Sequence, residues 1–423
     1  VIAWLFGLLV LFLGLGMPIA FSMGLAAALA LLLDGSVPVV VLAQRFYSSL
    51  DSFPLLAIPL FVLAGAVMNA SGITDRLIGL SRALVGHLRG GTGQVTIVTS
   101  LLFSTISGSA AAACAAVGGM LVPAMRRDGW SREDAAVITA AAAVLGPIVP
   151  PSVLMVIYGS ITGLSVGKLF LTGIGPGLVM AGVLMATVWR RAGRLGVAPH
   201  PRTGAAEAMR ATARALPALL MPAIIVGGIV SGVFTATEAG AIAVGYGVLY
   251  GLATRSATAG ALLREAAGAA LSASAIMVIL GGAALFGWIM AREGVPVMIA
   301  EELRALTSDP ALVMALILAA LLAVGIFIEP IPAIVMLVPV LAPVGEAYGF
   351  DAYHFAFVIT YALLLGSLSP PVAVLVLIAC RIAGVDYART TRPLLPLFGA
   401  LVAVLVAAAY LPGMTLAIPA LFE

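Results

Sequence analysis

Charge is what this chain has least of. Its 423 residues include 21 basic and 18 acidic side chains, 9% of the total, where a soluble domain carries about a quarter. So few charges cannot clothe a water-soluble surface of this size, and the formal charge of +3 is too small to imply a nucleic-acid partner. Lysine occurs once, at Lys168, with no glycine-rich phosphate loop before it, which excludes ATP hydrolysis by this chain. The three histidines, His87, His200 and His354, have no histidine or carboxylate at ligand spacing and read as lone interfacial side chains. Cys114 and Cys380 both lie in apolar stretches, so a disulfide scaffold, a zinc site of usual spacing and a haem attachment motif are unexpected, and nothing suggests an enzyme. What fills the chain instead is 62% hydrophobic residues with 47 glycines and 25 prolines. It reads as an all-α polytopic membrane protein whose solvent is the lipid bilayer.

A crossing needs about 20 apolar residues with every backbone polar group satisfied inside the segment. The charge-free intervals are 1–33, 52–74, 90–125, 135–167, 169–189, 215–237, 239–254, 266–291, 311–328, 352–380 and 393–422. Residues 90–125 and 135–167 are long enough for a crossing plus a re-entrant arm, and 1–33, broken by Gly16 and Pro18, for two helices. We expect 11 to 13 helical segments, two hairpins among them not crossing fully. The first stretch lacks the basic region and cleavage pattern of a secretory signal and reads as a retained helix. Arg190, Arg191, Arg194, Arg202, Arg210 and Arg214 against Glu207 make the strongest basic run, which places this connection on the cytoplasmic side.

Sliding the chain against itself at one fixed offset aligns Pro123 with Pro343, Gly129 with Gly349, Gly146 with Gly366, and Pro150 and Pro151 with Pro370 and Pro371. Leu145 and Leu365 match too, and Gly16 pairs loosely with Gly232 at a slightly shorter offset. The chain therefore reads as two related halves, 1–198 and 215–423, joined by an Arg-rich linker at 199–214. Such duplication is characteristic of secondary transporters, in which broken helices from the two halves meet near the membrane midplane, and an inverted relation is expected.

Three groups of residues carry candidate chemistry. Ser107, Gly108 and Ser109 place two hydroxyls beside a residue that lets backbones approach, suited to a cation or a hydrogen-bonded solute, or to small-residue helix packing. In Gly146, Pro147, Ile148, Val149, Pro150, Pro151 and Ser152, adjacent prolines cannot sit in a helix interior, and the carbonyls they free need partners, for which a bound sodium ion is suited; a kink or a turn is the alternative. Recurrence at Gly366, Ser367, Leu368, Ser369, Pro370 and Pro371 favours a broken-helix site. Glu329, followed by Pro330 and matched with Ser109 by the same offset, is costly in hydrocarbon and belongs at a cavity, a cation or a solvated helix end. Glu238, after Thr235, either lines the same cavity or caps a helix.

These segments in this order resemble the large membrane subunit of tripartite ATP-independent periplasmic (TRAP) transporters. The resemblance rests on Gly16 to Phe21, Leu56 to Phe61 with Ala64 and Gly65, Ser107 to Ser109, Gly146 to Ser152 with Tyr158 and Gly159, Phe234 to Ala239, Glu329 with Pro330, and Ser369 to Val372. Departures are Ala236 for a commoner proline, Glu329 for aspartate, Ile331 for threonine, and Ala373 and Leu375 for a glycine and an asparagine. The resemblance implies an elevator-type permease with paired re-entrant hairpins in the bacterial cytoplasmic (inner) membrane. It also implies sodium as coupling ion, a small carboxylate substrate, a periplasmic solute-binding protein that delivers it, and a small membrane subunit as partner. By the same resemblance Ser107, Gly108, Ser109, Pro150, Pro151, Ser152, Glu329, Pro330, Ser369, Pro370 and Pro371 are the expected substrate or hairpin-tip residues. Ser107, Ser109, Gly146, Glu329, Gly366 and Ser369 are the expected sodium ligands, partly through backbone carbonyls. A stand-alone sodium-coupled carboxylate symporter is the nearest alternative.

Overall fold

The structure, a computed structural model, describes residues 1–35 and 37–422. Among the described residues all regular structure is helical. The chain begins with α1 (Ile2–Gly14), α2 (Ile19–Asp34), α3 (Val40–Leu50), a 3-10 turn (Phe53–Leu56), α4 (Ala57–Ala70) and α5 (Ile73–Val85). It continues through α6 (Gly91–Ser107), α7 (Ala110–Arg127), α8 (Arg132–Ala143), α9 (Val153–Thr162) and α10 (Val166–Leu195). Then come α11 (Ala205–Val230), α12 (Ala236–Ala253), α13 (Ala259–Arg292), α14 (Val295–Leu306) and α15 (Pro310–Phe327). The last are α16 (Pro330–Ala347), α17 (Ala352–Gly366), α18 (Val374–Ala383), α19 (Thr391–Tyr410) and the single turn α20 (Gly413–Leu416). Among the described residues seven helical segments are long and apolar enough to cross a membrane.

The described helices outnumber the 11 to 13 expected because charge-free intervals miss helices that carry charge. Arg45 sits in α3, Asp75, Arg76 and Arg82 in α5, and Glu301, Glu302 and Arg304 in α14. These three are strongly amphipathic and lay one face on the bundle. As expected, 1–33 holds two helices, and 90–125 and 135–167 each hold a pair.

Helix spans repeat in step with the sequence. Helices α7 and α16, which start at Ala110 and Pro330, have the same length, as do α9 and α18, which start at Val153 and Val374. Between Gly72 and Gly294 the offset is slightly longer: Gly72 (φ 69°) precedes α5 and Gly294 (φ 72°) precedes α14, each in the left-handed conformation that glycine adopts freely. One departure lies early in each half. Residues 40–70 form α3, a turn and α4, whereas their counterpart is the long, continuous α13. Asp51, Ser52 and Pro54 break the first, and Ala273, Ser274 and Ile276 stand at those positions in the second with nothing to stop the helix.

α1, α2, α4, α12 and α13 pack on one another. A second group holds α6 to α8 and α15 to α17, and the two halves interlock there: α18 lies on α7 and α8, while α9 lies on α16. α8 and α17 are almost wholly buried and largely apolar all round, as such helices must be. At the Arg-rich end, α10 and α11 run into the connection from both sides, so only 196–204 is non-helical and residues 205–214 of the expected linker are helix. Arg191 pairs there with Asp134, His200 Nε2 lies 2.8 Å from Asp128, and Arg132 donates to the Gly384 carbonyl at 3.1 Å. The histidines are thus not all lone and interfacial. His200 meets a carboxylate from a distant part of the sequence, and His354 is buried in α17 against Thr415 (2.8 Å). Sequence spacing cannot show pairs that only folding brings together.

Candidate functional site

The first break is built from small residues. α6 ends at Ser107, Gly108 turns the chain with φ 58°, and Ser109 caps α7 by accepting the Ala112 amide at 3.4 Å. A Cβ at Gly108 would lie 2.6 Å from the Pro151 carbonyl oxygen, and one at Gly146 would lie 3.0 Å from the Ser109 carbonyl oxygen. Glycine at both positions lets the turn settle onto the broken segment 144–152. Ser152, buried, donates to the Pro147 carbonyl and accepts the Met155 amide at 3.2 Å, closing the start of α9. Ser107 is buried as well, and its hydroxyl accepts the Ser109 amide at 3.5 Å.

The second break is stitched differently. α15 ends at Phe327, Ile328 is extended, and exposed Glu329 precedes α16 without making a capping bond. Pro330 and Pro332 remove two of the amide donors that a helix start usually presents. Buried Ser367 and Ser369 donate to the carbonyls of Leu364 (2.6 Å) and Leu365 (3.4 Å). A Cβ at Gly366 would lie 2.4 Å from the Cα of Gly325 on α15, so this contact also requires glycine. Ala373, in the left-handed region at φ 40°, opens α18 with no side-chain cap. The Pro150–Pro151 and Pro370–Pro371 peptide bonds are both cis.

The two breaks share a cavity of about 770 Å³. Ser107, Gly108, Ser109, Glu329 and Pro330 line it. The Pro150, Pro151, Ser152, Ser369, Pro370 and Pro371 group, with Gly146 and Gly366, does not: Gly146, Pro150, Pro151, Ser152, Gly366 and Ser369 are buried in the packing around it, whereas Pro370 is half-buried and Pro371 exposed outside it. Arg292 and Arg381 stand in the last turns of α13 and α18 and do not line it either. Glu238 completes a capping box with Thr235, deciding between its two readings in favour of the cap.

Four helix starts open onto the cavity: Ala110 to Ala112 of α7, Val153 and Leu154 of α9, Pro330 and Ile331 of α16, and Val374 and Leu375 of α18. The starts of α7, α9 and α18 carry partial positive charge from their unpaired amides, while at α16 Pro330 and Pro332 leave Ile331 as the one amide donor among the first three residues. Among the described residues that line the cavity there is no lysine, arginine or histidine, while Glu265 and Glu329 bring two carboxylates. No group of three metal-ligating His, Cys, Asp or Glu side chains occurs among the described residues. An anion here would be held by backbone amides, and a cation by hydroxyl, carboxylate and carbonyl oxygens.

Sequence reasoning missed Asn69 and Glu265, which also line the cavity. Asn69, at the end of α4, accepts from Thr74 at 2.8 Å, which turns its amide nitrogen away from that bond. Neither position stands in a glycine or proline motif. Ser367 stood inside the motif from Gly366 to Pro371 and lines the cavity although Ser369 does not.

The family model for the DctM component of the tripartite ATP-independent periplasmic transporter matches residues 6–414. The chain belongs to this family. Over 408 residues this DctM-family chain is 37% identical to the sialic acid TRAP transporter large permease protein SiaM of Vibrio cholerae, covering 96% of each chain. It is 34% identical to the 2,3-diketo-L-gulonate TRAP transporter large permease protein YiaN of Escherichia coli, over 95% of this chain and 94% of that one. It is 38% identical to the isethionate TRAP transporter permease protein DctMQ of Oleidesulfovibrio alaskensis, over 97% of this chain but 65% of that one. Among solved structures, the YdaH transporter of Alcanivorax borkumensis shares the fold, with TM-score 0.62 at 17% identity, covering 87% of this chain and 86% of that one. The DctM-family chain is a multi-pass membrane permease and not an enzyme.

Proposed function

We propose that this permease imports a small organic acid, coupled to sodium, in the bacterial inner membrane, with a small membrane subunit as partner and a periplasmic solute-binding protein delivering the acid. The observation that carries this reading is the meeting of four helix starts on one cavity whose described lining has no basic side chain. Such a site attracts a carboxylate yet leaves its charge, and those of Glu265 and Glu329, to be offset by cations. The relatives named for sialic acid, 2,3-diketo-L-gulonate and isethionate act on organic acids, which supports the same class here. The oxygen donors fit sodium: Ser107 and Ser109 with the carbonyls beside Gly108 and Gly146 in the first half, and Glu329 with the Gly366 and Ser369 segment in the second.

The reciprocal interlocking of α9 with α16 and of α18 with α7 supports two pseudo-symmetric halves, and the relation proposed between them is inverted. It also makes the hairpins one body, able to slide against the group of α1, α2, α4, α12 and α13 as an elevator. In this cycle sodium orders the tips, the acid binds between them, and release on the other side completes import. Uptake of a labelled organic-acid panel into proteoliposomes tests the reading, with this chain, its small membrane partner and the soluble receptor, with and without an inward sodium gradient. Uptake that needs all three proteins and sodium is expected. Uptake without receptor or sodium overturns it.

A further inference from the structure

The cavity at the two breaks also limits the kind of acid it can hold. Seven of its 28 described lining residues have polar side chains, and two of these, Glu265 and Glu329, are exposed carboxylates. Ser272 and Ser367 spend their hydroxyl hydrogens on carbonyls of the preceding turn, those of Gly268 (3.0 Å) and Leu364 (2.6 Å). Few side chains are left with hydrogens to give. Asn69 Oδ1 accepts from Thr74 and leaves its amide nitrogen to donate, while Ser107 and Ser109 accept the amides of Ser109 and Ala112 and keep their own hydrogens.

Position separates these donors from the rest of the wall. α7 opens with Ala110, Ala111 and Ala112, so nothing bulky stands over its first amides, and Ser107 and Ser109 flank them at the same tip. A carboxylate finds its partners there. The other helices that start on the cavity each carry a large aliphatic side chain at their second residue: Leu154 in α9, Ile331 in α16 and Leu375 in α18. Phe103 and Leu364 extend this surface from about one turn before Ser107 and Ser367. A hydroxyl laid against these side chains would lose its water and gain no partner. A second carboxylate would meet no basic group in the described lining and would add its charge to those of Glu265 and Glu329.

We propose that the site selects a monoanionic acid with an apolar body, and that Leu154, Ile331 and Leu375 are the residues that impose the choice. The carboxylate lies at the first tip and the body lies on the aliphatic and aromatic surface, where each methylene group covered raises affinity about fourfold. Dicarboxylates and polyhydroxylated acids are poor ligands of the same cavity. This preference rests on the organic-acid reading above and narrows it to one class.

Binding to the permease purified with its small membrane partner in lipid nanodiscs tests the preference, in sodium buffer and without the soluble receptor, so that only the membrane part selects. The probes are 4-methylpentanoate, succinate and gluconate, with dissociation constants read by saturation-transfer NMR titration. 4-Methylpentanoate is expected to bind at least about tenfold more tightly than either of the others. Ile331→Thr and Leu375→Asn are each expected to narrow its advantage over gluconate at least about fourfold, a change of ratio that loss of folded protein does not produce. Ile331 is half-buried and Leu375 buried, so Ile331→Thr gives the readout where Leu375→Asn fails to fold. Succinate or gluconate binding as tightly as 4-methylpentanoate overturns the inference and leaves the organic-acid reading standing. Binding of none of the three, or a preference that neither variant changes, also overturns it. 4-Methylpentanoate bound as expected, with no sodium-driven uptake of any organic acid by the complete three-protein system, keeps the preference and removes the proposed transport.

Discussion

The two broken segments have the same backbone plan and opposite ways of finishing it. In the first, side chains close what the break opens: Ser109 caps α7, Ser152 caps α9 and also satisfies the Pro147 carbonyl, and Gly108 seats the turn on Pro151. In the second the ends stay open: Glu329 makes no capping bond, two prolines replace amide donors, and Ala373 starts α18 uncapped. The arms differ as well. α6 packs along α7, whereas α15 packs mainly on α17 and barely touches α16. A break capped by its own side chains holds its shape without a ligand, while one whose helix starts are left uncapped draws more of its order from what binds there.

Mutations can break or sharpen that contrast. The largest effect is expected at Gly108→Ala, which places a methyl on the Pro151 carbonyl and holds a left-handed backbone that costs about 1–3 kcal/mol in other residues. Sodium-driven uptake should fall at least about tenfold, the equivalent of ~1.4 kcal/mol, while Ile328→Ala, the counterpart in extended backbone, stays within about twofold. Equal losses in initial-rate assays would show that the halves are stitched alike. Next comes Glu329→Gln, which removes the uncommitted carboxylate. Sodium titration of uptake should show a weakening several times that of Ser109→Ala, whose neighbours Ser107 and nearby carbonyls share its load.

Smaller effects concern stability. Ser152→Ala removes a cap and strands the buried Pro147 carbonyl, a loss of about 1–2 kcal/mol that should lower the melting temperature of the purified permease. Ala373→Gly should act in the other direction by about 1 kcal/mol, because glycine bears the left-handed conformation at φ 40° without the Cβ clash. A thermal-shift measurement that finds Ala373→Gly destabilising would mean this position is held by packing of the methyl group.

Much of this contrast was legible before folding. Ser107, Gly108, Ser109, Glu329 and both Pro-Pro pairs stand out because glycine and proline act locally on the backbone, and the internal repeat tied them together. What local signals cannot rank is depth. The prolines and Ser369 looked equivalent to the tip residues, yet Pro150, Pro151, Ser369, Pro370 and Pro371 do not line the cavity, and Asn69 and Glu265 reached it from helices that carry no such signal there. The departure from glycine at Ala373 was visible as a residue difference; that it leaves a helix start strained and uncapped needed its φ angle.

By itself the sequence determined the class of molecule and places where helices break, because scarcity of charge and the backbone limits of proline and glycine hold whatever the chain packs against. Only the tertiary structure decided which helix starts share a cavity, and that no basic side chain stands in its described lining. Those facts depend on contacts between residues far apart in the chain, and long-range packing, not local propensity, selects among the arrangements that the same helices allow.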